Sequence, residues 1–121
     1  WEHLLFIASA HEAMQGFEAR ARALLEEFGL WEARNLHPHH FSRGMSLKLG
    51  LALALIRPFK VLLLDEPTSA LDSGSTQGLI ERLLDLRSSR AAILLSTHNN
   101  EHASKLADHL YHLENGQLKT D

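Results

Sequence analysis

Apolar residues in the first quarter of the chain recur at the three- and four-residue spacing of an α-helix. One set of positions with this spacing is Leu4, Ile7, His11 and Met14. A second set has charged residues opposite it, and its members are Phe17, Ala21, Leu24, Leu25 and Phe28. Each set predicts an amphipathic helix. Gly29 follows the second set, at a place where a left-handed residue commonly ends a helix.

A nearly continuous apolar segment predicts a third helix over residues 42–57. Pro58 sets its end, because proline disfavours helical geometry in the residue before it. Apolar side chains occupy several faces of this helix, at Leu47, Leu49, Leu51, Leu53, Leu55 and Ile56. We therefore expect the helix to be buried apart from its first turns, and residues 30–41 to form a loop before it.

The pattern changes after Pro58 to short apolar runs that alternate with helical spacing. Residues 61–64 and 91–95 predict two strands. The helix predicted between them has its apolar positions at Leu79, Ile80, Leu83 and Leu84. This alternation predicts an α/β fold with parallel strands. It divides the chain into a helical segment, residues 1–57, and a strand-containing segment, residues 58–121.

The end of the chain predicts a short helix near residues 101–107, followed by a hairpin. The strands of the hairpin are expected at residues 109–113 and 117–119. Asn115 and Gly116 lie between them and form a dipeptide that favours a tight hairpin turn.

Composition narrows the classes of function. The chain has 121 residues, which suits one ordinary domain, and no cysteine, which excludes a disulfide framework and thiolate metal sites. Its net charge of -3 gives no general attraction for nucleic acid, so no nucleic-acid partner is expected. The apolar run at residues 49–56 is far shorter than the roughly 20 residues of a membrane-spanning helix. The start at Trp1, with no signal-type segment, is typical of a piece of a longer protein.

Two adjacent carboxylates, Asp65 and Glu66, follow the first predicted strand and precede Pro67. Ligands of open parallel sheets bind beyond the carboxyl ends of the strands. Asp65 could hold the hydration shell of Mg²⁺ on a nucleotide, since this ion keeps several waters. Glu66 could orient or deprotonate an attacking water. The alternative is a strand that simply runs into an acidic turn.

Three further segments carry polar groups with both a structural and a functional interpretation. Ser42 and Gly44 open the apolar helix, whose free N–H groups favour an anion, although Ser42 could be only a helix cap. Asp72 could likewise cap the next helix. His98 follows the second strand, so it is expected at the same sheet edge as the carboxylates if the strands are parallel neighbours. A single histidine at a strand end is more often structural.

Together these segments resemble the ATP-binding cassette (ABC) ATPases. Four motifs occur in the order of that family: FSRGM at residues 41–45, VLLLDEP at 61–67, SALD at 69–72 and THN at 97–99. The resemblance implies a helical subdomain, residues 1–57, followed by the second half of a P-loop NTPase parallel-sheet core, residues 58–121. It also implies a parent protein that hydrolyses ATP with Mg²⁺ to drive transport across a membrane.

The resemblance also implies roles for single residues. Asp65 would be the carboxylate associated with Mg²⁺ through water, Glu66 would polarise the hydrolytic water, and His98 would contact the terminal phosphate. In the family two cassettes enclose two nucleotides. Ser42 and Gly44 would therefore contact the terminal phosphate of ATP on a second cassette. Asp72 would lie at the interface between the two cassettes.

The sequence departs from the family pattern in two ways. Its signature has Phe41, Arg43 and Met45 where LSGGQ is commonest, and this SxGM form resembles some bacterial exporter cassettes. It also contains no G-x-x-x-x-G-K-[ST] phosphate-binding loop, so residues 1–121 alone are expected to be inactive. The expected partners are a second ABC ATPase subunit and a transmembrane permease. The permease would hold the protein on the cytoplasmic face of the membrane.

Three alternatives remain open from the sequence. Residues 98–102 match H-x-x-E-H, the inverted zinc-peptidase pattern, and His37, His39 and His40 could add nitrogen ligands. A cassette that acts on the ribosome or DNA is a second alternative, although such proteins usually carry charged insertions or basic arms. An interaction fragment without activity is the third.

Overall fold

The computed structural model describes residues 1–89 and 91–120. In this part of the chain the helices and strands are α1 (Glu2–Ala10), α2 (Phe17–Glu27), α3 (Arg43–Leu55), β1 (Val61–Asp65), α4 (Ser73–Ser88), β2 (Ala92–Ser96), α5 (Asn100–Leu106), β3 (Tyr111–Glu114) and β4 (Gln117–Thr120). A single 3-10 turn, Pro38–His40, interrupts the loop before α3. β1 and β2 pair in parallel, and β3 and β4 pair antiparallel. The α/β fold with parallel strands is therefore confirmed.

The first two helices end in the same way. Gly29 has a positive φ of 65°, and the amide of Leu30 donates to the carbonyl of Leu25, as at a left-handed helix cap. The sequence predicted this cap for Gly29. At the end of α1 the left-handed residue is Glu12, with φ of 54°. The expectation that His11 and Met14 continue the first helix is therefore wrong, because the chain turns away after Ala10.

Helix α3 begins after its N-cap, Ser42, as predicted, but it ends at Leu55 rather than at residue 57. Only Leu51 and Ala52 are buried within it. The expectation that the helix is buried apart from its first turns is wrong, because it packs mainly on α1 and α2 and most of its later residues are only half-buried. Several of its leucines are half-buried against the core, namely Leu47, Leu49, Leu53 and Leu55.

The parallel pair of strands has one covered face and one bare face. Leu62 is buried in the core together with Leu79 and Leu83 of α4. Alternate residues on the other face are exposed, with Leu63 at 69% and Leu94 at 66%. Strands of a parallel sheet are normally covered on both faces, so this apolar face is unusual.

One hydrophobic cluster joins the helical segment to the strands. It consists of Leu4, Ala8, Phe17, Ala21, Leu24, Leu25, Phe28, Leu30, Leu51, Ala52, Ile56, Leu62, Leu79 and Leu83. An ion pair also links the two parts, since Nε of Arg82 on α4 donates to both carboxylate oxygens of Glu27 on α2, each at 2.9 Å. Glu27 raises the pKa of Arg82. The division between residues 57 and 58 stays a prediction.

The predicted short helix and hairpin are both present. α5 begins after Asn99, whose side chain accepts a hydrogen bond from the amide of His102. In the hairpin, Asn115 and Gly116 have φ of 51° and 76°, as expected for a tight turn of this type. Within residues 1–89 and 91–120, no helix is long and apolar enough to span a membrane.

Candidate functional site

The carboxyl ends of β1 and β2 bring the predicted acidic residues and the predicted histidine together. Asp65 is the register partner of Ser96, so the two strands end side by side. Oε1 of Glu66 lies 3.3 Å from Nε2 of His98. The side chain of His98 is 97% exposed and that of Glu66 is 31% exposed. Both can therefore reach a ligand that approaches this edge of the sheet.

Ser96 contacts both carboxylate residues, although its sequence position did not predict a role for it. Its hydroxyl donates a hydrogen bond to Oδ1 of Asp65. The hydroxyl oxygen of Ser96 in turn accepts a hydrogen bond of 3.1 Å from the backbone amide of Glu66. The one signal for this contact in the sequence is the parallel register, which pairs the last residues of the two strands.

Ser42 caps α3, which is one of the two roles that the sequence allows for it. Its Oγ accepts a hydrogen bond of 3.2 Å from the amide of Met45. A hydroxyl that accepts one hydrogen bond keeps its own donor. Capping and contact with a phosphate are therefore compatible, and the phosphate role stays a prediction.

Gly44 packs against the loop that follows the acidic residues. A Cβ atom at this position would lie 2.9 Å from the carbonyl oxygen of Ala70, closer than such atoms normally approach. Only glycine therefore fits without a shift of helix α3 or of loop 67–72. This packing is a reason for glycine at position 44 that is independent of any contact with an anion.

Asp72 caps α4, which is one of the two roles that its sequence position allows, and also binds α3. Its Oδ1 accepts from the amide of Ser75 at 2.9 Å, and its Oδ2 accepts from Nζ of Lys48 at 2.6 Å. The Lys48 ammonium and the Ser75 donors hold the pKa of Asp72 well below its usual range. Sequence reasoning missed Lys48, because 24 residues separate it from Asp72.

The donor set at the sheet edge fits Mg²⁺. Asp65 offers an exposed carboxylate and Ser96 a hydroxyl at the same point. Mg²⁺ usually takes one or two protein oxygens and completes its shell with water and phosphate oxygens. Asp65 could therefore hold the ion on a bound nucleotide through water, with its carboxylate hydrogen-bonded to the Ser96 hydroxyl.

The geometry does not favour the zinc alternative. His98 precedes α5 and His102 lies within it, so the two histidines do not share a helix face. Among residues 1–89 and 91–120, no group of three or more His, Asp or Glu side chains is placed to hold a metal ion. The remaining candidate ligands lie in the loop before α3, and they are His37, His39 and His40.

Comparison with known proteins gives consistent matches. Residues 12–102 match the family model described as "AAA domain, putative AbiEii toxin, Type IV TA system". The chain is 36% identical over 118 residues to the human retinal-specific phospholipid-transporting ATPase ABCA4, covering 97% of this chain and 5% of that protein. It is 40% identical over 105 residues to the aliphatic sulfonates import ATP-binding protein SsuB 2 of Pseudomonas savastanoi pv. phaseolicola, covering 86% of this chain and 39% of that protein.

A solved structure agrees with these sequence matches. The structure titled "Structure of ATP binding subunit of ABC transporter" superposes with a TM-score of 0.89 and 35% identity, covering 98% of this chain and 50% of that one. The chain thus spans half or less of the length of these relatives. The order of its helices and strands and the family match confirm the resemblance drawn from the four motifs. The chain belongs to the ATP-binding cassette family of P-loop ATPases, as part of a nucleotide-binding domain.

Proposed function

We propose that this chain is the part of an ABC ATPase that supplies the residues for water activation and for contact with a second cassette. The parent protein would hydrolyse ATP to ADP and phosphate and so drive transport across a membrane. The observation that carries this proposal is the contact of Glu66 with His98 beside Asp65, at the carboxyl end of a parallel strand pair. We use "complete cassette" for a nucleotide-binding domain that contains residues 1–121 together with a phosphate-binding loop.

The sheet edge provides a separate group for each requirement of hydrolysis. A carboxylate oxygen of Glu66 accepts a proton from the attacking water. The imidazole of His98 orients that carboxylate, which the distance of 3.3 Å between the two side chains supports. The same imidazole would face the terminal phosphate. Asp65 would hold Mg²⁺ through water, and the bound ion would neutralise charge on the phosphate oxygens.

The N-terminus of α3 and the loop before α4 would act on a second cassette. The free N–H groups of the first helical turn attract a phosphate, and Ser42 adds a hydroxyl donor. Gly44 contacts loop 67–72 through Ala70, and Asp72 ends that loop. A partner that contacts Asp72 would therefore also affect the position of residues 41–45, which we call the signature segment.

The bare face of the parallel strands supports a larger cassette. Val61, Leu63 and Leu94 are apolar and more than half exposed, although parallel sheets are normally covered on both faces. Further strands and helices of the same cassette would cover this face. They would include the phosphate-binding loop, which residues 1–121 do not contain.

A transmembrane permease would be the second partner, and it would hold the complete cassette on the cytoplasmic face of the membrane. We propose export as the direction of transport, because the FSRGM signature resembles that of bacterial exporter cassettes. The names of the relatives include a phospholipid-transporting ATPase and a sulfonate import protein, so the direction rests on the signature alone.

The experiment is to measure phosphate release from ATP by the complete cassette with and without Mg²⁺. We expect Mg²⁺-dependent turnover that Glu66→Gln lowers by roughly 10² to 10⁴, the usual loss for a positioned general base. Turnover that Glu66→Gln leaves unchanged would contradict the proposal. Reconstitution with the permease in sealed vesicles then tests direction: ATP-dependent movement of cargo away from the side that carries the cassette supports export.

A further inference from the structure

The side chain of Ser96 contacts the two acidic residues proposed to act on the nucleotide and its attacking water, Asp65 and Glu66. Its hydroxyl donates to Oδ1 of Asp65, directly across the parallel register. Its Oγ accepts from the amide of Glu66 at 3.1 Å. The Ser96 hydroxyl therefore donates a hydrogen bond to the Asp65 carboxylate and accepts a hydrogen bond from the backbone of Glu66.

Glu66 has a backbone conformation that needs such support. Its φ is 45°, in the left-handed region that residues with a side chain seldom adopt. Its amide donates to both the carbonyl oxygen and the Oγ of Ser96, each at 3.1 Å. Strained residues persist where the surrounding structure fixes them, and here Ser96 provides both acceptors.

The strained conformation determines where the Glu66 carboxylate points. The carboxylate of Glu66 lies 3.3 Å from Nε2 of His98, which follows Ser96 by two residues. A substitution of Ser96 would therefore alter the positions of Asp65, Glu66 and His98 together. The neighbouring Thr97 is different, because its Oγ1 accepts from the amide of Asn99.

We propose that Ser96 is a positioning residue for ATP hydrolysis: its hydroxyl orients the Asp65 carboxylate and holds the backbone of Glu66. This inference rests on the proposed function of the same site. Ser96 does not itself react in this account. Its loss should slow turnover while leaving the binding of ATP to the phosphate-binding loop nearly unchanged.

The test compares steady-state ATP hydrolysis by complete cassettes that carry Ser96→Ala, Ser96→Cys or Ser96→Thr. We expect Ser96→Ala to lower kcat by roughly 10- to 100-fold, as is typical when the hydrogen-bond partner of a metal ligand is removed, with KM for ATP changed less than about 3-fold. Ser96→Thr keeps the hydroxyl and should retain most of kcat. Ser96→Cys has a similar shape but is only a weak donor, so it should behave like Ser96→Ala.

The matched control is Ser88→Ala, which removes an exposed serine hydroxyl at the end of α4 and should leave kcat and KM unchanged. If Ser96→Ala fails to fold, as judged by circular dichroism, the comparison of Ser96→Cys with Ser96→Thr decides. Wild-type kcat in Ser96→Ala or Ser96→Cys, alongside a strong loss in Glu66→Gln, would overturn the role of Ser96 alone. Absence of Glu66-dependent turnover in the wild type would overturn the proposed function and this inference with it.

Discussion

The ammonium group of Lys48 lies 2.6 Å from Oδ2 of Asp72 and joins α3 to the first turn of α4. The side chain of Lys48 is only 16% exposed, so its position is well defined by packing. Gly44 contacts Ala70 one turn earlier on the same helix. Two separate contacts thus fix loop 67–72 to the signature segment, and residues proposed to act on a partner cassette are held as one unit.

The ion pair predicts an acid-sensitive contribution to stability. The pKa of Asp72 is lowered in the folded protein, so its stabilising effect is complete above the unfolded carboxyl pKa of about 4. The effect is lost as the pH falls below that value towards the folded pKa. Urea unfolding of the complete cassette between pH 6 and pH 3 measures it. The fall in the free energy of unfolding should be smaller in Lys48→Met and in Asp72→Asn than in the wild type.

Equal pH dependence in the wild type and in both variants would show that this pair does not contribute. Arg22→Met is the matched control, because Arg22 pairs with Glu26 on the surface of α2 with 61% of its side chain exposed. Exposed pairs of this kind contribute little. The control should keep the pH dependence of the wild type.

A methyl group at position 44 should lower the stability of the protein. In Gly44→Ala the added Cβ would meet the carbonyl oxygen of Ala70 at 2.9 Å, so helix or loop must move. We expect a loss of about 1 to 3 kcal/mol in the free energy of unfolding, as for other overpacked sites. Urea unfolding of the complete cassette measures this loss.

Gly50→Ala is the control on the same helix. No atom lies within 4 Å of the added Cβ at that position, and alanine has the higher helix propensity. The substitution should therefore stabilise the protein by roughly 0.5 to 1 kcal/mol. Equal effects of the two substitutions would refute the close contact at Gly44.

Hydrophobic spacing was sufficient to predict most elements, because local pattern determines them. The left-handed cap at Gly29, the strand pair and the Asn115-Gly116 turn follow from short segments. The early end of α1 did not follow, because its left-handed residue is Glu12 rather than a glycine. The burial of α3 was overestimated because the sequence alone does not say how many elements pack against a helix.

Some contacts of the candidate site could be predicted from the sequence, and others could not. Glu66 and His98 meet because β1 and β2 are parallel and end opposite each other. The sequence pattern implies this arrangement. The ion pair of Lys48 depends on the angle between α3 and α4, which no local pattern encodes. The position of Ser96 at the end of a strand could be predicted. Its hydrogen bond to the amide of Glu66 could not, because it depends on the unusual backbone of Glu66.

The two histidines of the H-x-x-E-H match should differ in importance. His98 contacts Glu66, whereas His102 lies in α5 beside apolar residues. We expect His98→Ala to lower ATP turnover of the complete cassette by at least about 10², the lower range for loss of a group that assists proton transfer. His102→Ala should retain most turnover, and metal analysis after dialysis should find no stoichiometric zinc. Equal loss in both variants together with bound zinc would favour the zinc alternative.

Residues 1–121 by themselves should neither bind ATP tightly nor hydrolyse it, because they contain no phosphate-binding loop. Calorimetric titration of the purified chain with MgATP checks this. The complete cassette, titrated under the same conditions, is the control and should show binding. Micromolar affinity of the isolated chain, or turnover that Glu66→Gln abolishes, would contradict the account.

Residues 41–45 are proposed to bind a nucleotide held by a second cassette. Glu66→Gln keeps the size of the side chain and removes its charge, so ATP should bind and persist between two cassettes. Ser42→Arg places a bulky cation at the N-terminus of α3, where we propose that the partner's phosphate approaches. Ser88→Arg introduces the same cation at the exposed end of α4 and is the control.

The most direct measurement is size-exclusion chromatography with light scattering of Glu66→Gln complete cassettes, with and without ATP. We expect an ATP-dependent dimer for Glu66→Gln and for Glu66→Gln with Ser88→Arg. We expect a monomer for Glu66→Gln with Ser42→Arg, which should still bind ATP in calorimetry. A Ser42→Arg double variant that dimerises with ATP would contradict the claim and leave Ser42 as a helix cap alone.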